Sequence, residues 1–276
     1  MTSDTRPKIL ANLHTHTRRC KHAQGAAADY CQAALAAGVG VLGFSDHAAL
    51  PDNRWLDVRM HSSELADYCR EIDTAREAFP ALTVLKGMEC DVDPAYEPYY
   101  RDELLGRLGF DYLIGAVHWF PYQGQWVGAH SGIRDVERLR AYTAWVIEGM
   151  QCDLFAFIAH PDVFGCSYLP WDRDAEACSR DMLQAAADLH MPIEINGYGL
   201  RKPVIETPDG RRRSYPLHKF WELAQEYDIE VVITSDAHEP WNVIGNIDEA
   251  TAMAESCNLR VADLSRLWTK AARGCG

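Results

Sequence analysis

The sequence predicts an α/β fold with a mostly parallel sheet, and three observations support this prediction. Seven short apolar runs recur along the chain, helix-like stretches separate them, and 47% of the 276 residues are hydrophobic. Strands that alternate with helices form βαβ units, in which the strands pair in parallel. Seven such strands fit either an open doubly wound sheet or a closed barrel, and alternation alone does not choose between the two.

The strands are predicted from their composition. Short runs of apolar and β-branched residues, bounded by Gly, Pro, Asn or Asp, are typical of strands that are buried on both faces. In chain order, the predicted strands cover residues 8–16, 39–47, 82–91, 111–119, 154–162, 191–199 and 229–238.

The intervals between the strands carry helical patterns. The alanine-rich stretch 26–38 has high helix propensity and ends at a glycine. The stretch 62–79 begins with a serine capping signal and spaces Leu65, Cys69, Ile72 and Phe79 along one face. Further helices are predicted over 97–108, 134–150, 174–190, 216–227 and 261–272, and the segment 197–214 is predicted to be a long loop.

Composition limits the class of protein. A single domain over residues 1–276 is expected, because no Pro/Gly/Ser-rich linker and no repeat of fixed period occurs. The formal net charge of −13 argues against a broad nucleic-acid surface, which is normally basic. No long apolar run or apolar leader occurs, so neither a membrane span nor a secretory signal is expected. Nine cysteines without a CxxC spacing indicate free thiols and a cytoplasmic protein.

Histidines and carboxylates gather where the predicted strands end. Six of the seven strands deliver such a side chain at the carboxyl end, where parallel α/β folds place functional groups. The histidines are His14, His16, His22, His47, His118, His160 and His238, and the carboxylates are Asp46, Glu89 and Asp236. A single histidine at a strand end is usually a structural residue, but that role does not easily explain the joint pattern.

The spacing of these residues favours metal binding. His14 and His16 lie two residues apart on one strand, so both side chains face the same side and can bind one ion. Asp236 and His238 repeat this spacing on the last strand. Imidazole together with carboxylate suits Zn²⁺, Fe²⁺ or Mn²⁺. Because these potential ligands are too many for one ion, two or three metals that share a bridging carboxylate are expected.

The remaining histidines and one cysteine have less specific surroundings. A surface position or a local hydrogen bond is expected for His61, His130, His190 and His218. Cys20 lies among the opening histidines, so a ligand role stays open for it beside the commoner role of a buried thiol.

The motifs at the strand ends, taken together, resemble a known family. They are "HTHTRRCKH", "GFSDHA", "GMECD", "GAVHW", "AHPD", "EINGYGLRK" and "ITSDAH". From residue 8 to about residue 245, the chain is similar to the polymerase-and-histidinol-phosphatase (PHP) family, and within it to the histidinol-phosphatase subgroup. The resemblance implies a distorted (β/α)7 barrel with three divalent metal ions, Zn, Fe or Mn, at the carboxyl end of the barrel.

The resemblance also implies how the ligands are shared among the three ions. The first ion would take His14, His16, Glu89 and Asp236. The second would share Glu89 as a bridge and would also take His118 and His160. The third would take His22, His47 and His238. Asp46 is not needed as a ligand and is expected to orient a ligand imidazole or a water.

The activity implied by the resemblance is hydrolysis of L-histidinol phosphate to L-histidinol and phosphate by a metal-bridging hydroxide. The expected catalytic residues are Glu89, Asp236, His238 and Asp46. Arg201 and Lys202, in "GLRK", are expected to bind the substrate phosphate, and Asp91 is expected to attract the substrate amine. The subgroup carries a basic residue soon after "HPD", whereas this chain has no Lys or Arg there before Arg173.

Three alternatives stay open. The chain could act on a nucleotide, an oligonucleotide end or another small phosphate ester, although its acidic balance argues against long nucleic acid. It could be an amide hydrolase with a carbamylated lysine, for which Lys86 is the nearby candidate. It could be a regulatory module with a degenerate metal site, but such a site should lack ligands and none is missing here. The sequence predicts no membrane partner and gives no oligomeric state.

Overall fold

The computed structural model describes residues 10–271, and its centre is a ring of parallel strands. The strands are β1 (Ala11–Asn12), β2 (Val41–Phe44), β3 (Thr83–Asp91), β4 (Tyr112–Ala116), β5 (Trp119–Tyr122), β6 (Gln125–Gly128), β7 (Ile193–Asn196), β8 (Val204–Thr207), β9 (Gly210–Arg213), β10 (Glu230–Thr234) and β11 (Arg260–Val261). One parallel sheet has the order β1-β2-β3-β4, and the other has the order β11-β10-β7.

Isolated backbone pairings join the two sheets into a ring. Ile158 pairs with Gly115 of β4 and with Ile193 of β7, while Thr15, after β1, pairs with Ala237, after β10. The fifth predicted strand is therefore a bridging segment rather than a regular strand. With this segment included, seven strand segments follow one another around the ring, and the predicted distorted (β/α)7 barrel is confirmed.

Helices surround the ring. They are α1 (Ala27–Ala36), α2 (Leu65–Ala78), α3 (Ala129–Gly132), α4 (Val136–Gln151), α5 (Arg173–Asp188), α6 (Gly197–Arg201), α7 (His218–Ala224), α8 (Ile247–Ser256) and α9 (Arg266–Ala271), with a π-helical stretch at Tyr99–Arg107. Helix α2 buries Leu65, Cys69 and Ile72, as their spacing predicts. Among the described residues, no helix combines the length and the apolar character needed to cross a membrane.

Side-chain alternation along β3 explains how this strand serves both the core and the site. Leu85 and Glu89 lie four residues apart, so both point into the ring, where Leu85 packs in an inner apolar cluster. Met88, which points outward, belongs to the larger cluster between strands and helices. Lys86 also points outward, and its Nζ lies 3.3 Å from Asp73 of α2. Glu89 therefore lies above an apolar plug that fills the barrel.

Tyr112 forms the centre of this plug, and two glycines make room for it. A Cβ at Gly43 would lie 2.1 Å from the Tyr112 oxygen, and a Cβ at Gly87 would lie 2.3 Å from Cζ of the same ring. The Tyr112 hydroxyl donates a hydrogen bond of 2.6 Å to the carbonyl oxygen of Leu13. No larger residue fits at either glycine. Because the glycines leave room for the Tyr112 side chain, this side chain fills the barrel interior beneath the site and closes it to solvent.

The prediction of a long loop over 197–214 is wrong. The segment forms α6 and then the hairpin β8–β9, in which Val204 pairs with Arg213 and Thr207 pairs with Gly210. Gly210 has φ of 107°, a backbone conformation that favours glycine. The Asp209–Gly210 dipeptide is a turn signal that could have revealed this hairpin. A second hairpin, β5–β6, was not predicted either.

Candidate metal centre

The pairing of Thr15 with Ala237 sets the direction of four predicted ligands. Side chains alternate along paired strands, so the residues on either side of this pair face the same cavity. These residues are His14, His16, Asp236 and His238. The rings of His16 and His238 stack with centroids 4.3 Å apart, and His16 Nε2 lies 3.2 Å from Asp236 Oδ1. The side chains two residues apart at each of these strand ends therefore face the same cavity, as their spacing predicts.

Glu89 lies in the middle of the site. Its Oε1 lies 3.4 Å from Nε2 of His14, 3.4 Å from Nε2 of His118 and 3.1 Å from Nε2 of His160. Its Oε2 lies 2.8 Å from Nδ1 of His47. A carboxylate with imidazole nitrogens next to both oxygens is suited to bridging two cations.

A third group of donors lies towards the opening of the cavity. The ligand atoms of His22, His47 and His238 lie within 4.8 Å of one another, and Nε2 of His22 lies 3.0 Å from Nε2 of His238. Cys20 Sγ lies within the same distance of ligand atoms of His16 and His238, but burial raises the pKa of this thiol. The neutral thiol is a weak ligand, so the three histidines are the stronger donor set.

Unpartnered atoms support a role for these groups in holding cations. Seven buried nitrogen and oxygen atoms of these side chains make no well-aligned hydrogen bond among the described residues. They are His14 Nε2, His16 Nδ1 and Nε2, His47 Nδ1, Glu89 Oε2, His160 Nδ1 and Asp236 Oδ1. Buried polar atoms without partners cost free energy, and native structures contain few of them. Imidazole and carboxylate donors in this number fit divalent metal ions such as zinc.

The protonation of three of the donors, Glu89, Asp236 and His47, also suits cation binding. Burial would raise the pKa of Glu89 and of Asp236, but the surrounding histidines, led by His118 and His14 respectively, hold both pKa values well below their ordinary value. Both carboxylates are therefore ionised. Burial lowers the pKa of His47 to about 3, so this imidazole is neutral and has a lone pair to donate.

Asp91 orients one ligand instead of contacting substrate, which corrects the prediction made for it. The carboxylate is 2% exposed, and its Oδ1 lies 3.1 Å from Nδ1 of His118. Its Oδ2 accepts a hydrogen bond of 2.5 Å from Arg59, which is fully buried. Burial opposes protonation of His118, but Glu89 and Asp91 outweigh it and raise the pKa of His118 to about 10. Asp91 thus directs Nε2 of His118 towards the centre.

Glu194 and Asn196, which the sequence patterns did not single out, hold three of the predicted ligands in place. Glu194 Oε1 lies 2.7 Å from Nδ1 of His14, and its Oε2 accepts a hydrogen bond from the amide of His160. Asn196 Nδ2 donates to Glu194 and, at 3.0 Å, to Oδ2 of Asp236. Both residues lie on β7 two positions apart, the same spacing that identified His14 and His16. This spacing was visible in "EIN" and could have revealed them.

Two of the predicted ligands have strained backbones, and hydrogen bonds hold them. His160 has φ of 31° and Asp236 has φ of 44°, a region that non-glycine residues rarely adopt. The Arg201 guanidinium donates to the carbonyl oxygens of Ser235, Asp236 and Gly245 at 2.8 to 3.0 Å. Arg201 therefore fixes the backbone of a ligand, and its contact with phosphate stays a prediction.

The chain matches a known family over most of this site. A model of the PHP domain matches residues 12–197, which include His14, Glu89 and His160. The chain belongs to the PHP family. A PHP-family relative from Deinococcus radiodurans, named "Probable histidinol-phosphatase", is 35% identical over 247 residues, which make up 85% of this chain and 88% of the relative.

A solved structure shares the PHP fold. Histidinol phosphate phosphatase from Lactococcus lactis, in complex with zinc, L-histidinol and phosphate, superposes with a TM-score of 0.68 at 15% identity, covering 91% of this chain and 95% of that one. At this identity the likeness supports the barrel and its topology, in agreement with the ring described above.

The remaining predicted residues occupy varied positions in this PHP site. Asp46 Oδ1 accepts two hydrogen bonds of 3.0 Å from Thr17, so it holds the loop after His16 rather than an imidazole. Its catalytic role stays a prediction. Lys202 Nζ lies 3.7 Å from the ring centroid of Tyr198, which lines the cavity. Lys86 points away from the site, so a carbamylated-lysine centre does not fit.

Proposed function

We propose that this chain is a metal-dependent phosphomonoesterase that hydrolyses L-histidinol phosphate to L-histidinol and phosphate. The observation that carries the proposal is the convergence of nine histidine and carboxylate donors, of which eight line a single cavity of about 250 Å³ and the ninth, His14, is fully buried beside Glu89. A cavity of this size suits a small ester rather than a polymer. The 35% identity with a relative named as a histidinol-phosphatase supports the choice of substrate.

The nine donors divide into three sets that support a three-ion site. His14 and His16 with Asp236 form one set, His118 and His160 form a second, and Glu89 lies between these two. His22, His47 and His238 form the third. Bound divalent ions would supply positive charge for the phosphoryl oxygens and lower the pKa of a nearby water.

The chain's own residues keep this site rigid and attract the phosphate. Glu194 and Asp91 fix the ring orientation of His14 and His118 by hydrogen bonds to Nδ1, so Nε2 of each faces the centre. Arg201 and Lys202 lie 5.3 and 3.7 Å from the Tyr198 ring and place two positive charges at that edge of the cavity. We assign these two cations to attracting the substrate phosphate.

A substrate panel tests the proposal. We expect kcat/KM for L-histidinol phosphate to exceed that for 4-nitrophenyl phosphate, AMP and a short 3′-tailed oligonucleotide by roughly 100-fold or more, since differential transition-state binding sets specificity. Activity should require a divalent metal, and zinc, iron and manganese should be compared. If kcat/KM were higher for AMP or the oligonucleotide, that compound would take the place of L-histidinol phosphate as the proposed substrate. Equal kcat/KM values for all four compounds would remove the assignment to histidinol phosphate.

A further inference from the structure

The hairpin β5–β6 and the short helix α3 that follows it form one wall of the cavity. Trp119, Gly128, His130 and Ser131 from this unit all line the cavity, directly after the predicted metal ligand His118. The function proposed above assigns no role to this unit. If the phosphate binds at the predicted metal ligands, as the proposed function requires, the alcohol part of the substrate contacts a wall of the cavity.

Three polar groups of this wall are open to the cavity and form no hydrogen bond with the residues that the structure describes. They are the indole N–H of the half-buried Trp119, the hydroxyl of the exposed Ser131 and the ring nitrogens of the exposed His130. A Cβ built on Gly128 would lie 3.7 Å from Trp119 Nε1 and 3.8 Å from Ser131 Oγ. The two groups therefore flank a space that exists because residue 128 has no side chain.

The wall is held rigidly. The Trp119 ring stacks on Trp55 with centroids 4.2 Å apart and an interplanar angle of 7°. The amide of Ala129 donates to the carbonyl oxygen of His118 at 2.8 Å, and Ser167 Oγ donates to the carbonyl oxygen of Ala129 at 2.9 Å. The ring of His130 lies parallel to that of His118, with centroids 6.1 Å apart. Polar groups fixed in this way lose little entropy when they bind a ligand.

The chemistry of the wall selects one part of the substrate. An indole N–H only donates, whereas a hydroxyl and an imidazole can donate or accept. A neutral imidazole ring presents one donor and one acceptor, which these groups complement. The only carboxylates that line the cavity within the described residues are Glu89 and Asp236, both assigned above to metal ions. The wall is therefore suited to a polar ring rather than to an ammonium group.

We infer that Trp119, Ser131, His130 and the space above Gly128 form the leaving-group pocket, and that they select a phosphate ester whose alcohol carries a polar ring. The inference rests on the function proposed above and adds the residues that determine its specificity. Gly128 has ordinary extended backbone angles, φ −74° and ψ 129°, so larger residues fold there without strain. A side chain at this position would fill the pocket.

The test compares L-histidinol phosphate with O-phosphoethanolamine, an ester that has the ammonium group but no ring. Trp119→Phe removes the indole N–H and keeps the aromatic face, and Gly128→Val fills the space. We expect each variant to lower the ratio of the two kcat/KM values by about tenfold, mainly through KM for the ring-bearing ester. The Ki of L-histidinol as a product inhibitor should rise by a similar factor.

Trp126→Phe is the matched control, because Trp126 lies on the same hairpin but outside the cavity lining. It should leave the ratio unchanged, and thermal unfolding should show that all variants are folded. If the wild-type protein had nearly equal kcat/KM values for L-histidinol phosphate and O-phosphoethanolamine, the substrate assignment would be removed, and the inference with it. A high wild-type ratio that survives both Trp119→Phe and Gly128→Val would overturn the pocket and leave the proposed function intact.

Discussion

At the scale of single residues, Glu89 is the side chain on which the proposed site most depends. Its two oxygens lie next to imidazole nitrogens on both sides, and its pKa is held well below the ordinary value. Glu89→Gln keeps the size but removes the charge. We expect this variant to lose bound metal and to lower kcat/KM by about 10³-fold or more, measured together by metal analysis and phosphate release. Glu255→Gln, on the exposed end of α8, is the control and should keep both metal and activity. Full metal content together with full activity in Glu89→Gln would contradict the bridging role of Glu89.

Asp91 has a double role, since it neutralises Arg59 and orients His118. Asp91→Asn would leave a buried guanidinium without its counter-charge. We expect the free energy of unfolding to fall by about 3–5 kcal/mol and metal affinity to fall about 10–100-fold. Urea unfolding and metal titration measure the two effects separately. Asp228→Asn, which removes an exposed partner of Arg260, should change neither quantity measurably. A stable Asp91→Asn variant with wild-type metal affinity would rule out both roles.

At the scale of elements, Asp162 joins the fifth strand segment to α7. Its Oδ2 accepts hydrogen bonds from the amide of Leu217 at 2.6 Å and from the indole of Trp221 at 3.0 Å, and burial raises its pKa to about 6. Because the folded pKa lies above the unfolded value of about 3.9, the folded state favours the protonated carboxyl. Its contribution to stability is complete below about pH 4 and is lost as the pH rises through about 6.

Asp162→Asn removes this titration, since an amide stays neutral. The variant's free energy of unfolding minus that of the wild type should therefore increase between pH 4 and pH 7.5, by up to about 3 kcal/mol. Urea unfolding at several pH values measures the difference. If the difference between the two free energies of unfolding did not change with pH, the prediction of a raised pKa for Asp162 would be wrong.

The segment after β7 carries two cations with different surroundings. Arg201 donates to three backbone carbonyl oxygens, whereas Lys202 lies over the Tyr198 ring. Arg201→Met should lower the free energy of unfolding by about 2–3 kcal/mol, because buried acceptors lose their donor. Lys202→Met should leave stability nearly unchanged and raise the Ki of inorganic phosphate by about tenfold. Thermal unfolding separates the two residues, because only Arg201→Met should lower stability, and an unchanged Ki of phosphate in both variants would contradict the assignment of these cations to attracting phosphate.

At the scale of the whole molecule, the seven strand segments were predictable because each is a short apolar run, and six of them end in a histidine or carboxylate. His14 and His16 could be assigned to one cavity because a strand's period of two is a local property. The hairpins β5–β6 and β8–β9 could not be predicted in the same way, because their strands are only four residues long and bury no residue except Phe120.

The partners of the ligands were harder to predict, for a physical reason. Arg59 lies in a loop with no regular pattern, and its contact with Asp91 depends on how that loop packs. The sequence therefore suggested a free carboxylate where the fold contains a buried ion pair. Arg201 presents the same difficulty, because backbone carbonyl oxygens attract a guanidinium as well as phosphate does.

The ligands come from distant parts of the chain, so bound metal should stabilise the whole barrel. His22 and His238, for example, are 216 residues apart and have ring nitrogens 3.0 Å apart. A ligand that binds only the folded state at about 1,000 times its Kd adds about 4 kcal/mol of stability. We therefore expect chelation to lower Tm by roughly 10 °C and to abolish activity, with zinc or manganese restoring both. Differential scanning fluorimetry with parallel metal analysis measures the change. Glu89→Gln should show a smaller shift on chelation, and a Tm that stays constant while metal is removed would contradict a structural role for the ions.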